Sequence, residues 1–490
     1  MNLVGQHDAL GLAELVRAGE VSAHELLDQA VASIEATNPV VNAVVTAFED
    51  QARRAIDDRL PSGPFHGVPF AIKDLWVNVA GLTTTNGSRL FACGPPSAGD
   101  SEVIGRYRRA GLVLVAKTNT PELGLSPTTE PALFGSTHNP WDLDTTPGGS
   151  SGGAAASVAS GNFAMAHASD GGGSIRIPAS CCGLFGLKPT RGRVPVGPER
   201  SEGWNGMSTQ HVVTRSVRDS AAALDATAGP MAGDPYWAPP GPASYLAEAG
   251  TDPAPLRIGL ITQSPTGVPV DQTCRDAAEA TARRCSQLGH QVVPLSWPSI
   301  TDDFLAARSA IVPAQIAVTV DSFVAETGRT PGPDDLEPMT RLLVDRGRST
   351  TATTYVAAVQ AMHRLGRTMG RLFVDIDVLV TPTMATPPGP LGSLDPEDMD
   401  RFIRTSGSMT AFTYLFNLTG QPAMTLPLDR SPSGIPIGTQ VIGRFGDEAT
   451  LFRLAGQLER AHPWFGQTVA TVLPFSPAAP PEPDHRMRAG

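Results

Sequence analysis

Charge is scarce in this sequence: Asp, Glu, Lys and Arg make up 17% of its 490 residues, against about 25% in ordinary globular chains. What charge there is leans acidic, with 48 Asp and Glu against 37 Lys and Arg and a net charge of −11. No Lys/Arg run exceeds two or three residues. The clustered cations that phosphate backbones demand are missing, which excludes nucleic acid as a principal partner. Cysteine is rare: Cys93, Cys181, Cys182, Cys274 and Cys285. None forms C-x-x-C, which excludes the common zinc and redox motifs, and reduced thiols in a cytoplasmic protein are expected. The first 20 residues carry Asp8, Glu14, Arg17 and Glu20 rather than an apolar run, so no signal peptide is expected. The longest uncharged stretch, 145–169, is mostly Gly, Ser and Ala and lacks the roughly 20 strongly apolar residues of a membrane span. No internal repeat is visible.

Glycine and proline are in excess instead, 50 and 45 residues, well above their usual combined share of about 12%. With 41% hydrophobic residues and no G-x-y period, neither disorder nor a collagen helix explains them. They belong in loops and turns. Between these, Ser22-Ala23-His24-Glu25 reads as a capping box. Strands are predicted over 42–47, 68–72, 112–116, 162–168, 256–261, 291–295, 377–380 and 440–442. Helices are predicted before, between and after them, including 101–110, 272–288, most of 300–372, and 448–460. This alternation predicts an α/β fold with both faces of the sheet covered. Residues 229–255, rich in proline, read as a surface connection, and the tail from Pro474 as a strap or disordered segment.

Glycine concentrates at 148–173, with eight in 26 residues. One block is Pro147-Gly148-Gly149-Ser150-Ser151-Gly152-Gly153; the other is Ser169-Asp170-Gly171-Gly172-Gly173-Ser174-Ile175-Arg176. Tight turns around an Ala-rich helix would account for both. A phosphate cradle fits poorly, since neither G-x-x-x-x-G-K-[ST] nor G-x-G-x-x-G occurs in either block. Gly149-Ser150-Ser151-Gly152-Gly153 satisfies G-x-S-x-G, but 141–148 is a turn-rich loop where a nucleophile elbow needs a strand. A further reading is nucleophilic catalysis, with serine hydroxyls beside bare backbone N–H groups that receive an oxyanion.

These blocks, together with Gly186-Leu187-Lys188-Pro189-Thr190-Arg191-Gly192, resemble the amidase signature family. So do Gly67-Val68-Pro69-Phe70-Ala71-Ile72-Lys73-Asp74, Lys117-Thr118-Asn119-Thr120-Pro121-Glu122, Asn417-Leu418-Thr419-Gly420-Gln421-Pro422-Ala423 and Gly434-Ile435-Pro436-Ile437-Gly438-Thr439-Gln440. The resemblance covers nearly the whole chain in order. It implies one large domain over 1–490 with a central, twisted, mixed β-sheet under helices on both faces. Within it, 1–60 would be an N-terminal helical region, 61–230 the signature core, 256–473 the second half and 474–490 the tail. It also implies hydrolysis of an amide without metal or cofactor, on a small-molecule substrate, in a chain that is often a homodimer. The roles carried over are Lys73 as base, Ser150 as bridging serine behind a cis peptide bond, and Ser174 as nucleophile. The oxyanion hole falls on the N–H groups of Gly171, Gly172, Gly173 and Ser174, with Ser151, Asp170 and Arg176 in support. A lysine can serve as base only when neutral, and burial favours that form. His66, His138 and His167 are expected to pack or hydrogen-bond in ordinary ways.

The sequence departs from the family at two places. Gly171 stands where the nucleophile motif usually has Thr. Leu125-Ser126-Pro127-Thr128, expected to bind substrate, replaces a common Gly-Ser-Ser, and Pro127 removes an N–H donor. The acyl pocket is expected to draw on 125–134, 310–320 and 412–417, with Phe412, Tyr414 and Phe416 as an apolar wall or as core. Thr129-Glu130-Pro131, Asn139-Pro140-Trp141 and Arg215-Ser216-Val217-Arg218-Asp219 are similar to the branch that hydrolyses 6-aminohexanoate cyclic dimers. Aryl acylamidases and urethane-cleaving members are its neighbours, so the expected substrate is a small apolar, aryl, cyclic or carbamate-type amide. The alternatives are an ester hydrolase with the same residues and the amidase-like subunit of a tRNA-dependent amidotransferase, which the acidic charge disfavours.

Overall fold

In the computed structural model, which describes residues 3–395 and 398–465, the helix Ala23–Val41 begins at the expected capping box. Ser22 Oγ accepts from Glu25 N at 3.1 Å, and Glu25 Oε2 accepts from Ser22 N at 2.8 Å. Eleven strands among the described residues form one sheet. They are β1 (Val44–Ala47), β2 (Pro69–Lys73), β3 (Val113–Thr118), β4 (Met165–Asp170), β5 (Phe185–Lys188), β6 (Thr209–Thr214), β7 (Arg257–Leu260), β8 (Gln291–Pro294), β9 (Val378–Pro382), β10 (Ala423–Arg430) and β11 (Pro436–Gly443). Their order is β1-β3-β2-β4-β6-β5-β10-β11-β9-β7-β8. Parallel pairs (β2 with β3 and β4, β7 with β8 and β9) flank an antiparallel centre, so the sheet is mixed.

Side-chain alternation sends β2 and β3 into two separate cores. Phe70 and Ile72 of β2 join Leu114 of β3 and Leu10 and Leu12 of the helix Ala9–Ala18 on one face. Ala71, Val113 and Val115 join Ala154, Ala155 and Val158 of the helix Gly152–Ala159 on the other. Both faces are covered, as predicted, and strands buried on both sides read as continuous apolar runs.

Three strands carry no such run. β5 has only four residues, and β6 (Thr-Gln-His-Val-Val-Thr) is buried despite its polar residues. β10 contains Pro427, which lies within a register shift between Leu426 and Asp429; a residue without an N–H is tolerated there. The connection over 229–255 includes the short helix Tyr245–Ala249, capped by Ser244. Cys181 and Cys182 are buried, as expected of small packing residues. The helix Thr301–Thr327 is long and apolar enough to cross a membrane, but half of that window is buried in protein, and it packs on the helices Pro338–Ser349 and Ala352–Leu372. The tail from Pro474 lies outside the described residues.

Candidate active site

β2 runs into Lys73, whose side chain is fully buried. Lys73 Nζ donates to Ser150 Oγ at 2.7 Å and to Ser169 Oγ at 3.1 Å. Burial pushes the lysine pKa well below its ordinary value, against the opposing pull of the Asp170 charge. The acids around it are already engaged. Asp74 Oδ1 accepts from Lys117 Nζ at 2.9 Å, and Asp170 is held by Arg176. His167 adds no charge: its Nδ1 accepts from Lys73 N at 3.3 Å and its Nε2 lies 3.1 Å from Gln210 Oε1. These partners set the Nε2–H tautomer. Burial takes the His167 pKa down to about 3, so the ring is a neutral support, as expected of an ordinary histidine. Ser169 was not foreseen; as a serine beside Asp170 it carries no pattern of its own.

The Gly149–Ser150 peptide is cis. A Cβ on Gly149 would come 2.4 Å from the Thr128 carbonyl oxygen. Gly149→Ala is therefore expected to cost about 1–3 kcal/mol through backbone displacement, read as a lower urea midpoint. Ser151 is fully buried and donates from Oγ to the Ser169 carbonyl at 3.2 Å. It holds the turn rather than facing a cavity, which removes the G-x-S-x-G elbow.

Asp170 closes β4 and gathers the second glycine block. It accepts from the N–H of Gly173 at 2.7 Å, of Ile175 at 3.1 Å and of Arg176 at 3.4 Å. Burial alone would raise its pKa, but the Arg176 charge and hydrogen bonds more than reverse this. Arg176 Nε and Nη2 reach the two carboxylate oxygens at 2.9 and 2.8 Å. Its remaining hydrogens go to Thr413 O, Gln440 Oε1 and Asn417 Oδ1. Arg176→Met leaves Asp170 charged, buried and unpaired, and is expected to lose about 3–5 kcal/mol of stability in denaturant unfolding. One expected role changes. The Gly173 N–H is taken by Asp170 and is not free for an oxyanion, whereas those of Gly171, Gly172 and Ser174 have no acceptor among the described residues.

Ser174 is half-buried and its hydroxyl has no hydrogen bond among the described residues. It lines a cavity of about 370 Å³. Gly124 and Gly149 line the same cavity, and a Cβ on Gly124 would lie 3.2 Å from Ser150 Oγ, so this wall leads to Ser150. Leu125, Ser126 and Pro127 form part of the wall as expected. Thr128 does not: it is buried behind them, with Oγ1 3.1 Å from Ser126 Oγ. Tyr414 lines the cavity, while Phe412 and Phe416 are core. Val312 and Pro313 contribute from 310–320. Sequence reasoning missed Met339 and Leu342 of the helix Pro338–Ser349, and Met399 and Phe402 of the helix Met399–Thr410. Trp204 was missed too. Its ring lies where a Cβ on Gly171 would come within 2.7 Å, so it takes the space of the usual Thr side chain.

A half-buried serine on a bare glycine turn, facing a largely apolar cavity in a mixed α/β fold, is an arrangement suited to nucleophilic catalysis on a small substrate. The comparisons with known proteins make this specific. The chain belongs to the amidase family, whose profile matches residues 25–452, and it is an amide hydrolase. Over 481 residues it is 39% identical to the 6-aminohexanoate-cyclic-dimer hydrolase of Paenarthrobacter ureafaciens, covering 95% of this chain and 97% of that protein. A solved structure of 6-aminohexanoate cyclic dimer hydrolase superposes with a TM-score of 0.91 at 38% identity, covering 96% and 99% of the two chains. A bacterial aryl acylamidase of the amidase signature family superposes with a TM-score of 0.86 at 28% identity, covering 95% and 99%.

Proposed function

We propose that Lys73, Ser150 and Ser174 hydrolyse the amide through an acyl-enzyme. The observation that carries this is the 2.7 Å contact from Lys73 Nζ to Ser150 Oγ, in a site that favours the neutral amine. Ser174 Oγ attacks the carbonyl carbon and passes its proton to Ser150, whose own proton goes to Lys73. No hydrogen bond joins Ser174 and Ser150 among the described residues, and such bonds commonly tighten when substrate binds. The N–H groups of Gly171, Gly172 and Ser174 receive the oxyanion; a lost donor of this kind costs about 3 kcal/mol. The amine leaves with a proton returned through Ser150. Water then adds to the Ser174 ester by the same relay and releases the acid.

The apolar cavity and the named relatives support a small cyclic or aryl amide as substrate, with carbamates open to the same steps. Purified chain is expected to release amine from a panel of cyclic, aryl and carbamate substrates, at a rate that a metal chelator leaves unchanged. Absence of amine release from every class would overturn this reading. Chelator sensitivity would overturn its metal-free form.

A further inference from the structure

The cavity at Ser174 holds positive charge that the proposed reaction does not use. Arg308 of the helix Thr301–Thr327 and Arg346 of the helix Pro338–Ser349 line it, and among the described residues no Asp or Glu does. In a chain of net charge −11, neither guanidinium has a hydrogen bond or ion pair among the described residues. Their neighbours behave differently. Asp303, on the same helix as Arg308, pairs with Arg364 at 2.6 Å, and Arg348, two positions beyond Arg346, pairs with Asp321 at 2.6 Å. Arg308 Cζ instead lies 5.3 Å from the Tyr414 ring centroid. That ring abuts the nucleophile turn, since a Cβ on Gly172 would meet it at 2.8 Å. A single aromatic ring thus bridges the cation and the glycine backbone. The stacking holds the guanidinium without using its hydrogen-bond donors.

Building on the Ser174 reading, we infer that the site selects apolar amides that end in a carboxylate remote from the scissile bond. Arg308 takes the carboxylate through its fork of N–H donors, and Arg346, more exposed, draws it to the mouth. The apolar walls cover the chain between the acid and the amide.

Two matched pairs test this. One sets adipic acid mono-p-nitroanilide against hexanoic p-nitroanilide, with the acid on the acyl side. The other sets hexanoylaminohexanoate against N-hexylhexanamide, with the acid on the amine side. In at least one pair, kcat/KM is expected to favour the acid by about tenfold to a hundredfold. That ratio should fall as ionic strength rises, approach one in Arg308→Gln and survive in part in Arg308→Lys. Equal cleavage of acid and neutral partners by the native chain would overturn the inference while leaving amide hydrolysis standing, as would a preference that persists in Arg308→Gln. A chain that cleaves none of the four overturns the inference, and overturns the Ser174 reading as well only if it also releases no amine from the cyclic and carbamate substrates. If Arg308→Gln does not fold, the salt dependence and Arg308→Lys decide: a salt-insensitive ratio, unchanged in Arg308→Lys, overturns the inference.

Discussion

Ser174→Ala is expected to lower kcat for amide hydrolysis on the order of 10⁶-fold, leaving the residual that binding and oxyanion stabilisation alone supply. The same substitution should hardly alter stability, within about 0.5 kcal/mol. The hydroxyl it removes has no hydrogen-bond partner among the described residues, so no buried group is orphaned. The two readouts together distinguish a nucleophile from a structural serine. Ser151→Ala gives the contrast: it removes the bond to the Ser169 carbonyl and should damage stability more than chemistry. A dead Ser151→Ala beside an active Ser174→Ala would reverse the assignment. A serine-directed acylating or sulfonylating reagent should label Ser174, located by peptide mass spectrometry.

Lys73→Met is the second large effect, on the order of 10⁴-fold or more in kcat, because no other base among the described residues contacts Ser150. The pH dependence follows from the direction of the lysine shift. Burial lowers the Lys73 pKa in the folded chain, so the amine is neutral above that value and takes a proton below it. kcat/KM should therefore fall on acidification; a profile flat from neutrality down to about pH 5 would exclude a lysine base. Stability carries the same signature. Between the depressed folded value and the unfolded value of about 10.4, the unfolded chain holds one more proton at this site. Unfolding free energy then rises with pH across that window. Lys73→Met should remove this part of the slope, which denaturant melts at several pH values would measure. A nearly inactive variant with a flatter stability profile is the combined outcome expected.

Much of the site is legible along the chain because its demands are local. Gly149 must be bare, since Thr128 O fills the space of a Cβ, and Gly172 must be bare beside Tyr414. Such needs leave glycines in the sequence whatever else surrounds them. Lys73 ends an apolar strand, and a strand pattern is readable over five residues. The strands β5, β6 and β10 were not legible, because a short Phe-Gly-Leu-Lys segment with a central glycine, a polar composition and an internal proline each erase the pattern that periodicity relies on. The cavity walls at Met339 and Phe402 were hidden for another reason. Amphipathic helices show which residues are apolar but not which gap they close over.

The sequence by itself determined the α/β alternation, the order of the motifs and the three residues on which the chemistry is proposed to rest. The alternation follows from backbone sterics and from strand and helix periods; the three residues are what the resemblance of the motifs to the amidase signature family implies. The tertiary structure alone decided that Lys73 is held toward its neutral form, with Asp74 and Asp170 committed to Lys117 and Arg176. It also decided that the Gly173 N–H is spent on Asp170, and that two arginines unpaired among the described residues share the cavity with Ser174. Desolvation and charge pairing act through space, between groups as far apart in the chain as Arg176 and Gln440, which meet at 2.7 Å. No local pattern encodes which of them will find each other.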